Sequence, residues 1–253
     1  MEIDLNADVG EGFGAWCMGD DAGLLRMVTS ANVACGFHAG DPSVIDRTVG
    51  LAVRACVAVG AHPSHFDLRG FGRRNMVVDP AEAEADVLYQ VGSVAGFARA
   101  HGSRLTHVKP HGALYNQAAA DEALAAAVAR GVARFDSGLV LVGLASSATL
   151  RRAAESQGLR FAGEAFADRR YEPDGTLVPR SAEGAVIVDP AQAALQAVRL
   201  AEKHEVLTRG GAVVSLRAET LCVHGDTPGA PALARAVRDA LETAGIAVRA
   251  LGP

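Results

Sequence analysis

Residues 31–62 of the chain, ANVACGFHAGDPSVIDRTVGLAVRACVAVGAH, contain one complete strand–helix–strand unit. The first and last six residues of this stretch have the pattern of short strands, and a helical run starts at Pro42 between them. Proline suits the first turn of a helix, because the N–H that it lacks would have no helical partner there. Two strands that are joined through a helix lie parallel in one sheet. The stretch therefore predicts a parallel βαβ unit.

The same alternation of strand and helix continues along the chain. One or two strands are expected within residues 212–225, and single strands at 3–8, 105–110, 139–145, 160–166 and 246–251. Further helices are expected at about residues 20–29, 80–101, 121–135, 147–157, 190–204 and 230–245. Seven or eight such units predict a TIM-like α/β barrel with right-handed crossovers. A doubly wound open sheet is the alternative, although no GxGxxG motif follows the first strand to favour its dinucleotide-binding form.

Composition limits the classes of partner and compartment that we expect. The chain has 253 residues, of which 49% are hydrophobic, which is enough for a single barrel domain over residues 1–253. Its net charge is −5 and no basic patch stands out, so nucleic acid and anionic membrane surfaces are not expected partners. We find no signal-peptide pattern, no run of about eighteen apolar residues and no CxxC pair among the four cysteines. These features predict a cytoplasmic protein without a membrane span.

Polar residues concentrate near the carboxyl ends of the predicted strands. Alternate residues of a strand share one face. The inward sets are therefore Asp4, Asn6 and Asp8; Asn32, Gly36 and His38; His107, Lys109 and His111; and Cys222, His224 and Asp226, with His62 and Glu164 on two further strands. A βα barrel brings these strand ends together at one mouth. Burying many ionisable groups costs several kcal/mol each unless they are paired, hydrated or metal-bound, so the pattern predicts a functional site.

Lys109 is one of two lysines in a chain whose other cationic residues are arginines. The strand pattern directs it into the barrel mouth, near the carboxylates of Asp8 and Asp226. A lysine ammonium is compact and can change its protonation state when it is desolvated, whereas a guanidinium effectively cannot. Lys109 is therefore a candidate point cation or proton donor. A structural Lys–Asp ion pair is the alternative interpretation.

Three strands also carry a candidate metal set, formed by Asp8, His38 and His62. One carboxylate with two histidines is a common set of ligands for a divalent metal, although no HxxxH or HExxH spacing supports it here. Glu11 follows the first strand and could act as a general base or as a capping acid.

Two long loops carry six arginines: Arg69, Arg73, Arg74, Arg169, Arg170 and Arg180. Their guanidinium groups suit carboxylate or phosphate ligands. The alternative is that they are solvated charges that pair with Asp67 or Asp168.

Several motifs give the chain a resemblance to a known family. They are DLNADVGEGFG, SANVACGFHAGDP, GAHPS, GFGRR, HVKPHGALYN, FADRRY and CVHGD, and they span nearly the whole chain. The chain resembles the LamB/YcsF family, whose members are described as one component of bacterial 5-oxoprolinase. The resemblance implies a seven-stranded βα barrel related to the glycoside hydrolase and deacetylase barrels. It also implies ATP-dependent opening of the lactam 5-oxo-L-proline to L-glutamate, in a complex with 5-oxoprolinase subunits B and C.

Opening a lactam requires a base that activates water, a group that stabilises the oxyanion and an acid for the leaving nitrogen. Asp8 or Asp226 could be the base, Lys109 or a divalent metal could stabilise the oxyanion, and His111 could deliver the proton. The candidate substrate-binding residues are Asn6, Glu11, Arg73 and Arg169. Neither lysine lies in a GxxxxGKS or GxxxxGKT motif, so ATP must be bound in another way or by partner chains.

Two other functions remain open at this stage. One is a metal-dependent amide or polysaccharide deacetylase that acts alone and does not need ATP. The other is a non-catalytic subunit that binds the lactam and presents it to a partner. In the second case, changes at Asp8 and Lys109 would alter affinity but not turnover at saturating substrate.

Overall fold

Seven parallel strands close into a barrel in the computed structural model of the chain, which describes residues 1–225 and 229–252. In chain order the strands are β1 (Glu2–Val9), β2 (Ser30–Ala34), β3 (Ala58–His62), β4 (Leu105–Val108), β5 (Val140–Leu144), β6 (Arg160–Phe166), β7 (Glu205–Leu207), β8 (Val213–Ser215), β9 (Thr220–Val223) and β10 (Ala247–Val248). Strands β1 to β6 pair in sequence, and β9 pairs with both β6 and β1, which closes the ring. The predicted barrel is therefore confirmed.

Helices follow most of the barrel strands, as the alternating pattern predicts. They are α1 (Asp21–Leu24), α2 (Pro42–Arg54), α3 (Pro80–Ala100), α4 (Gly112–Ala118), α5 (Glu122–Phe135), α6 (Ala148–Ser156), α7 (Pro190–Lys203) and α8 (Ala230–Thr243). An aspartate caps five of these helices by accepting a backbone N–H of the first turn, namely Asp20, Asp41, Asp79, Asp121 and Asp189. Such caps satisfy helix donors that have no partner within the helix.

Four features differ from the sequence-based expectation. The helix expected at 20–29 is the four-residue α1, because the Thr29 N–H already donates to Leu5 of β1 and the chain enters the sheet there. Helix α4 was not predicted, since His111 precedes it without a side-chain cap. The antiparallel hairpin of β7 and β8 lies outside the barrel, and the last strand is reduced to the two-residue β10 beside β1. Within the described residues, no helix has the length and apolar character needed to cross a membrane.

The two faces of the barrel strands differ in character. Residues such as Leu5 on β1 and Leu141 on β5 join helix residues such as Val49 and Val128 in one buried apolar cluster. The opposite face of β1 carries Asp4, Asn6 and Asp8, which are also buried. The apolar core therefore lies between the barrel and its helices, while the interior of the barrel is polar. This arrangement directs the candidate site residues inward.

A glycine inside the barrel makes room for one of these polar side chains. A Cβ added at Gly60 would overlap the ring of His107, which is 1% exposed and is held by Asn32 and Thr106. We expect Gly60→Ala to lower the free energy of unfolding by about 1–3 kcal/mol, the usual cost of overpacking a core. The measurement is urea unfolding at equilibrium.

Gly96→Ala is the matched control for this substitution. Gly96 lies in α3, where an added Cβ meets no described atom within 4 Å other than its chain neighbours and the backbone of its own helix. Alanine favours helices over glycine, so this variant should be neutral or slightly stabilised. Equal unfolding midpoints for Gly60→Ala and the unmodified protein would contradict the packing of His107 against Gly60.

Candidate active site at the carboxyl ends of the barrel strands

Asp4 forms the deepest part of the polar interior. Its carboxylate accepts hydrogen bonds from the hydroxyls of Thr29 and Ser30, both at 2.7 Å, and from the hydroxyl of Thr220 at 2.5 Å. Burial raises the pKa of Asp4 to about 6, even though the hydroxyl groups of Thr220, Ser30 and Thr29 act in the opposite direction. Asp4 is thus a fully bonded buried carboxyl group below the site.

Two asparagines, Asn6 and Asn32, lie between Asp4 and the carboxylates of Glu164 and Asp8. The Asn6 amide donates to Glu164 at 2.9 Å, and the Asn32 amide donates to Asn6 at 2.7 Å and to Asp8 at 2.9 Å. His107 Nε2 lies 2.9 Å from the side-chain Oδ1 of Asn32. Burial, with Lys109 nearby, lowers the pKa of His107 to about 3, so this imidazole is neutral and donates to Asn32. These bonds fix the orientation of Asp8.

Lys109 lies at the centre of the site. Its ammonium is 2.9 Å from Asp8 and 2.9 Å from Glu164, and it also contacts Cys222 Sγ at 3.1 Å and the side-chain Oδ1 of Asn6 at 3.3 Å. Burial disfavours the charge of Lys109, but Asp8, Cys222 and Glu164 outweigh burial and raise its pKa well above the usual value. Burial likewise opposes the charge of Asp8, yet His62 and Lys109 hold its pKa well below the usual range. Asp8 and Lys109 therefore form a buried charged pair.

One group of buried side chains comes from the ends of four consecutive strands: Glu11, His38, His62 and His111. Glu11 Oε1 lies 3.4 Å from His38 Nε2 and 3.6 Å from His111 Nδ1, and His111 Nδ1 lies 3.0 Å from His62 Nε2. The His38 and His111 rings stack with centroids 3.8 Å apart. Burial lowers the pKa of both His38 and His111 well below the usual value, and neighbouring histidines add to this effect. One donor atom from each residue lies within 4.8 Å of the others, a spacing that suits a metal ion.

The metal set expected from the sequence is divided between two groups in the structure. His38 and His62 lie in the group just described, whereas Asp8 lies in a neighbouring group with Cys222 and His224. Asp8 nevertheless reaches His62, because its Oδ2 lies 3.3 Å from His62 Nε2. Asp8 thus connects the two groups, although it belongs only to the second.

His224, which lies in the same group as Asp8, forms a histidine–aspartate pair with Asp168. The Asp168 carboxylate accepts the His224 backbone N–H at 3.2 Å and lies 2.9 and 3.0 Å from Nδ1 of its ring. Burial opposes the charge of Asp168, but His224 lowers the pKa of Asp168 below its usual value. The His224 ring stacks on Phe166 with centroids 5.2 Å apart. These contacts place the Nδ1 hydrogen toward Asp168 and leave Nε2 as an acceptor.

These side chains surround a cavity of about 640 Å³ at the carboxyl ends of the strands. Asp8, His62, Lys109, His111 and His224 line its floor, and its walls include Tyr115, Phe166, Arg73, Arg169 and Arg180. Asn6 and Glu11, which the sequence suggested as substrate-binding residues, lie behind this surface and do not line it. Asp226, a predicted catalytic residue, lies outside the described residues.

Arg169 is the most enclosed of the loop arginines. Its side chain donates to the Val178 carbonyl at 2.6 Å, and its buried Nε has no hydrogen-bond partner in the part of the chain that the structure describes. Burial, together with Arg180, lowers the pKa of Arg169 to about 10. Arg74 instead forms a surface pair with Asp67, which is the alternative that the sequence left open for these residues.

Sequence reasoning gave no site role to Glu164, His224 or Asp168. His224 and Glu164 were assigned to the inward faces of their strands, and that signal was available for both. Asp168 had no such signal, because it follows β6 in a loop and meets His224 only through the pairing of β6 with β9.

Comparison with known proteins identifies the family. The LamB/YcsF family model matches residues 3–253. The chain belongs to the LamB/YcsF family. The A subunit of 5-oxoprolinase from Methylococcus capsulatus is 58% identical over 250 residues, which cover 99% of this chain and 96% of that protein. The corresponding protein of Nocardia farcinica is 53% identical over 250 residues, 99% of each. A lactam utilization protein from Thermus thermophilus has a TM-score of 0.94 and 49% identity, covering 99% of this LamB/YcsF chain and 100% of its own.

The raised pKa of Asp4 predicts a specific dependence of stability on pH. Between the pKa of Asp4 in the unfolded chain, near 4, and its folded value of about 6, the folded state retains a proton that the unfolded state releases. Stability from this group is therefore present at low pH and is lost as pH rises through 6. The difference in unfolding free energy between the unmodified protein and Asp4→Asn should fall by roughly 2–3 kcal/mol between pH 4 and 7. Urea unfolding across this range measures it, and a constant difference would contradict the prediction.

Proposed function

We propose that this chain is one component of an ATP-dependent 5-oxoprolinase and that its cavity hydrolyses the lactam of 5-oxo-L-proline to L-glutamate. The observation that carries the proposal is a cavity with a charged carboxylate–ammonium pair on its floor, an aspartate-oriented imidazole beside the pair and arginines on its wall. The relatives are named as the A subunit of 5-oxoprolinase, and these names support the same substrate. They also support an assembly with further subunits, which we identify with subunits B and C.

The cavity suits a small substrate that has one carboxylate and one amide. Its volume of about 640 Å³ lies within the range of about 300–1,000 Å³ that is usual for small-molecule sites. Arg169 offers a buried Nε donor on the wall, near Arg73 and Arg180, and guanidinium groups bind carboxylates well. We therefore place the substrate carboxylate toward these arginines. The lactam carbonyl would then lie toward Asp8 and His224.

His224 is the residue that we propose as general base and acid. Its Nδ1 hydrogen is directed at Asp168, so Nε2 can remove a proton from water as the water oxygen bonds to the lactam carbon. The same nitrogen then returns the proton to the ring nitrogen as the C–N bond breaks. Asp8 is a weaker base than the sequence suggested, since the Lys109 ammonium at 2.9 Å stabilises its carboxylate.

For Lys109 we retain the oxyanion-stabilising role that the sequence suggested, whereas we do not assign proton delivery to His111. The ammonium of Lys109 stays charged among its acceptors, and it favours the developing oxyanion through its fixed positive charge. His111 has Nε2 at 2.9 Å from the Phe71 carbonyl and Nδ1 at 3.0 Å from His62, so neither nitrogen is directed at a substrate atom.

A divalent metal bound beside His62 and His111 would polarise the lactam carbonyl as a Lewis acid. ATP is bound in the assembled complex, by partner chains or by a mode other than a P-loop.

The proposal is tested by reconstitution. Glutamate and ADP formation from 5-oxo-L-proline should be measured for the chain alone, for subunits B and C without it, and for all three together, each with and without ATP. We expect turnover only in the complete, ATP-containing mixture. Turnover of an amide by the chain alone without ATP would instead support the deacetylase-like alternative. Full turnover by subunits B and C without this chain would contradict its participation.

We expect Asp168→Asn to separate the catalytic from the non-catalytic alternative. The amide can present its N–H group to His224 Nδ1 and stabilise the wrong tautomer, which removes the base. In the reconstituted complex kcat should fall by about 10²-fold or more, while KM changes little, because general acid–base groups contribute about 10²–10⁴-fold. Rates at saturating substrate and thermal melting provide the measurements.

Asp239→Asn is the control for this variant, since Asp239 is exposed on α8, away from the cavity lining. It should leave kcat, KM and melting unchanged. A raised KM with normal kcat for Asp168→Asn would show that the chain binds the lactam without carrying out the chemistry.

A further inference from the structure

We propose that Glu11, His38, His62 and His111 bind one divalent metal ion of the zinc type. The ligand atoms are Glu11 Oε1, His38 Nε2, His62 Nε2 and His111 Nδ1. The inference extends the site of the proposed function and rests on geometry that does not involve the substrate. It replaces the Asp8, His38 and His62 set that the sequence alone suggested.

All four donor atoms lie within 4.8 Å of one another, and three of the distances between them are close to those of tetrahedral ligands. Glu11 Oε1 lies 3.4 Å from His38 Nε2 and 3.6 Å from His111 Nδ1, and His62 Nε2 lies 3.0 Å from His111 Nδ1. In a tetrahedral zinc site with bonds of about 2.0–2.1 Å, neighbouring donors lie roughly 3.3–3.4 Å apart. Each donor comes from the end of a different strand, β1 to β4, so the barrel itself brings the four together.

Two backbone carbonyls decide which histidine nitrogens carry hydrogen. His62 Nδ1 lies 2.7 Å from the Lys109 carbonyl oxygen, and His111 Nε2 lies 2.9 Å from the Phe71 carbonyl oxygen. A carbonyl oxygen only accepts, so these two nitrogens are the N–H donors. In the neutral rings the opposite nitrogens, His62 Nε2 and His111 Nδ1, then present lone pairs to each other at 3.0 Å. This contact is repulsive unless a metal ion or a proton lies between the two nitrogens, and metal-binding histidines characteristically donate their other N–H in this way.

His38 provides an independent observation. It is 1% exposed, and neither of its ring nitrogens has a hydrogen-bond partner among residues 1–225 and 229–252. Leaving a buried polar group unsatisfied costs about 1–3 kcal/mol. Its Nε2 is directed at the group, with Glu11 Oε1 at 3.4 Å. A metal ion would be a partner for this nitrogen.

The donor set and the surrounding charge select both the metal and its position. Three imidazoles suit zinc and similar transition metals, whereas magnesium and calcium prefer oxygen ligands. The alternative group of Asp8, Cys222 and His224 also has closely spaced donors, but the Lys109 ammonium lies 2.9 Å from Asp8 and 3.1 Å from Cys222. That charge repels a second cation. The ion therefore belongs on the His62 side of Asp8, at the floor of the cavity.

The test measures metal content without any substrate. The full chain is stripped with a chelator and dialysed against Zn²⁺, Co²⁺ or Mg²⁺, and bound metal is counted by elemental analysis together with the visible spectrum of the Co²⁺ form and the melting temperature. We expect one Zn²⁺ or Co²⁺ per chain, no retained Mg²⁺ and a higher melting temperature with Zn²⁺. His38→Gln and His111→Gln should each weaken binding by about 10-fold or more.

Two control variants locate the ion. His101→Gln changes a histidine that pairs with Asp46 near the surface, and His224→Gln changes the alternative group, so both should retain one Zn²⁺ per chain. Stripped chain that takes up no Zn²⁺ would overturn the proposal and leave a shared proton as the link between His62 and His111. Binding that persists in His38→Gln and His111→Gln, or that is lost in His224→Gln, would overturn the placement. Because metal uptake is read without turnover, a failure of lactam hydrolysis leaves this result unaffected, and the converse holds.

Discussion

The buried ammonium of Lys109 is the constraint on which the rest of the barrel interior depends. It follows β4 and contacts Asp8 from β1, Glu164 from β6 and Cys222 from β9, so it connects β4 to three strands with which β4 does not pair. Removing one partner from such a buried pair costs about 3–5 kcal/mol, whereas replacing the whole pair with apolar groups is often neutral. Stability alone therefore does not account for it. A functional site that needs a fixed positive charge at this point accounts for the buried ammonium.

The charge of Lys109 also explains why the two groups of side chains near Asp8 suit different chemistry. One group is Glu11, His38, His62 and His111, and the other is Asp8, Cys222 and His224. Asp8 Oδ1 faces Lys109 and Asn32, and Asp8 Oδ2 faces His62. A cation next to Cys222 would lie beside the ammonium, whereas the His62 side is separated from it by the carboxylate. The His224 side thus suits proton transfer and the His62 side suits a metal ion. The Asp8 carboxylate contacts both Lys109 and His62, because its two oxygens face different partners.

Much of the fold follows from sequence patterns that depend on neighbouring residues. The βαβ unit over residues 31–62 and the aspartate caps before α2 and α3 need no information from distant parts of the chain. Elements whose limits depend on distant contacts were predicted poorly. Helix α1 ends early because Thr29 bonds to Leu5, and the hairpin of β7 and β8 separates β6 from β9 along the chain although these strands pair in the barrel.

The same distinction between local patterns and contacts of distant residues applies within the site. It explains which features of the site could not be predicted from the sequence. Alternation along a strand places Lys109 and Asp8 on inward faces, and this is enough to bring them together. It does not reveal that Asp168 orients His224, since that contact depends on which strands are adjacent. Nor does it reveal which nitrogen of His62 or His111 is bare, because the carbonyls of Lys109 and Phe71 decide it. Lys109 therefore acts on the site twice: its ammonium holds Asp8 charged, and its backbone oxygen turns the lone pair of His62 toward the position that we assign to the metal.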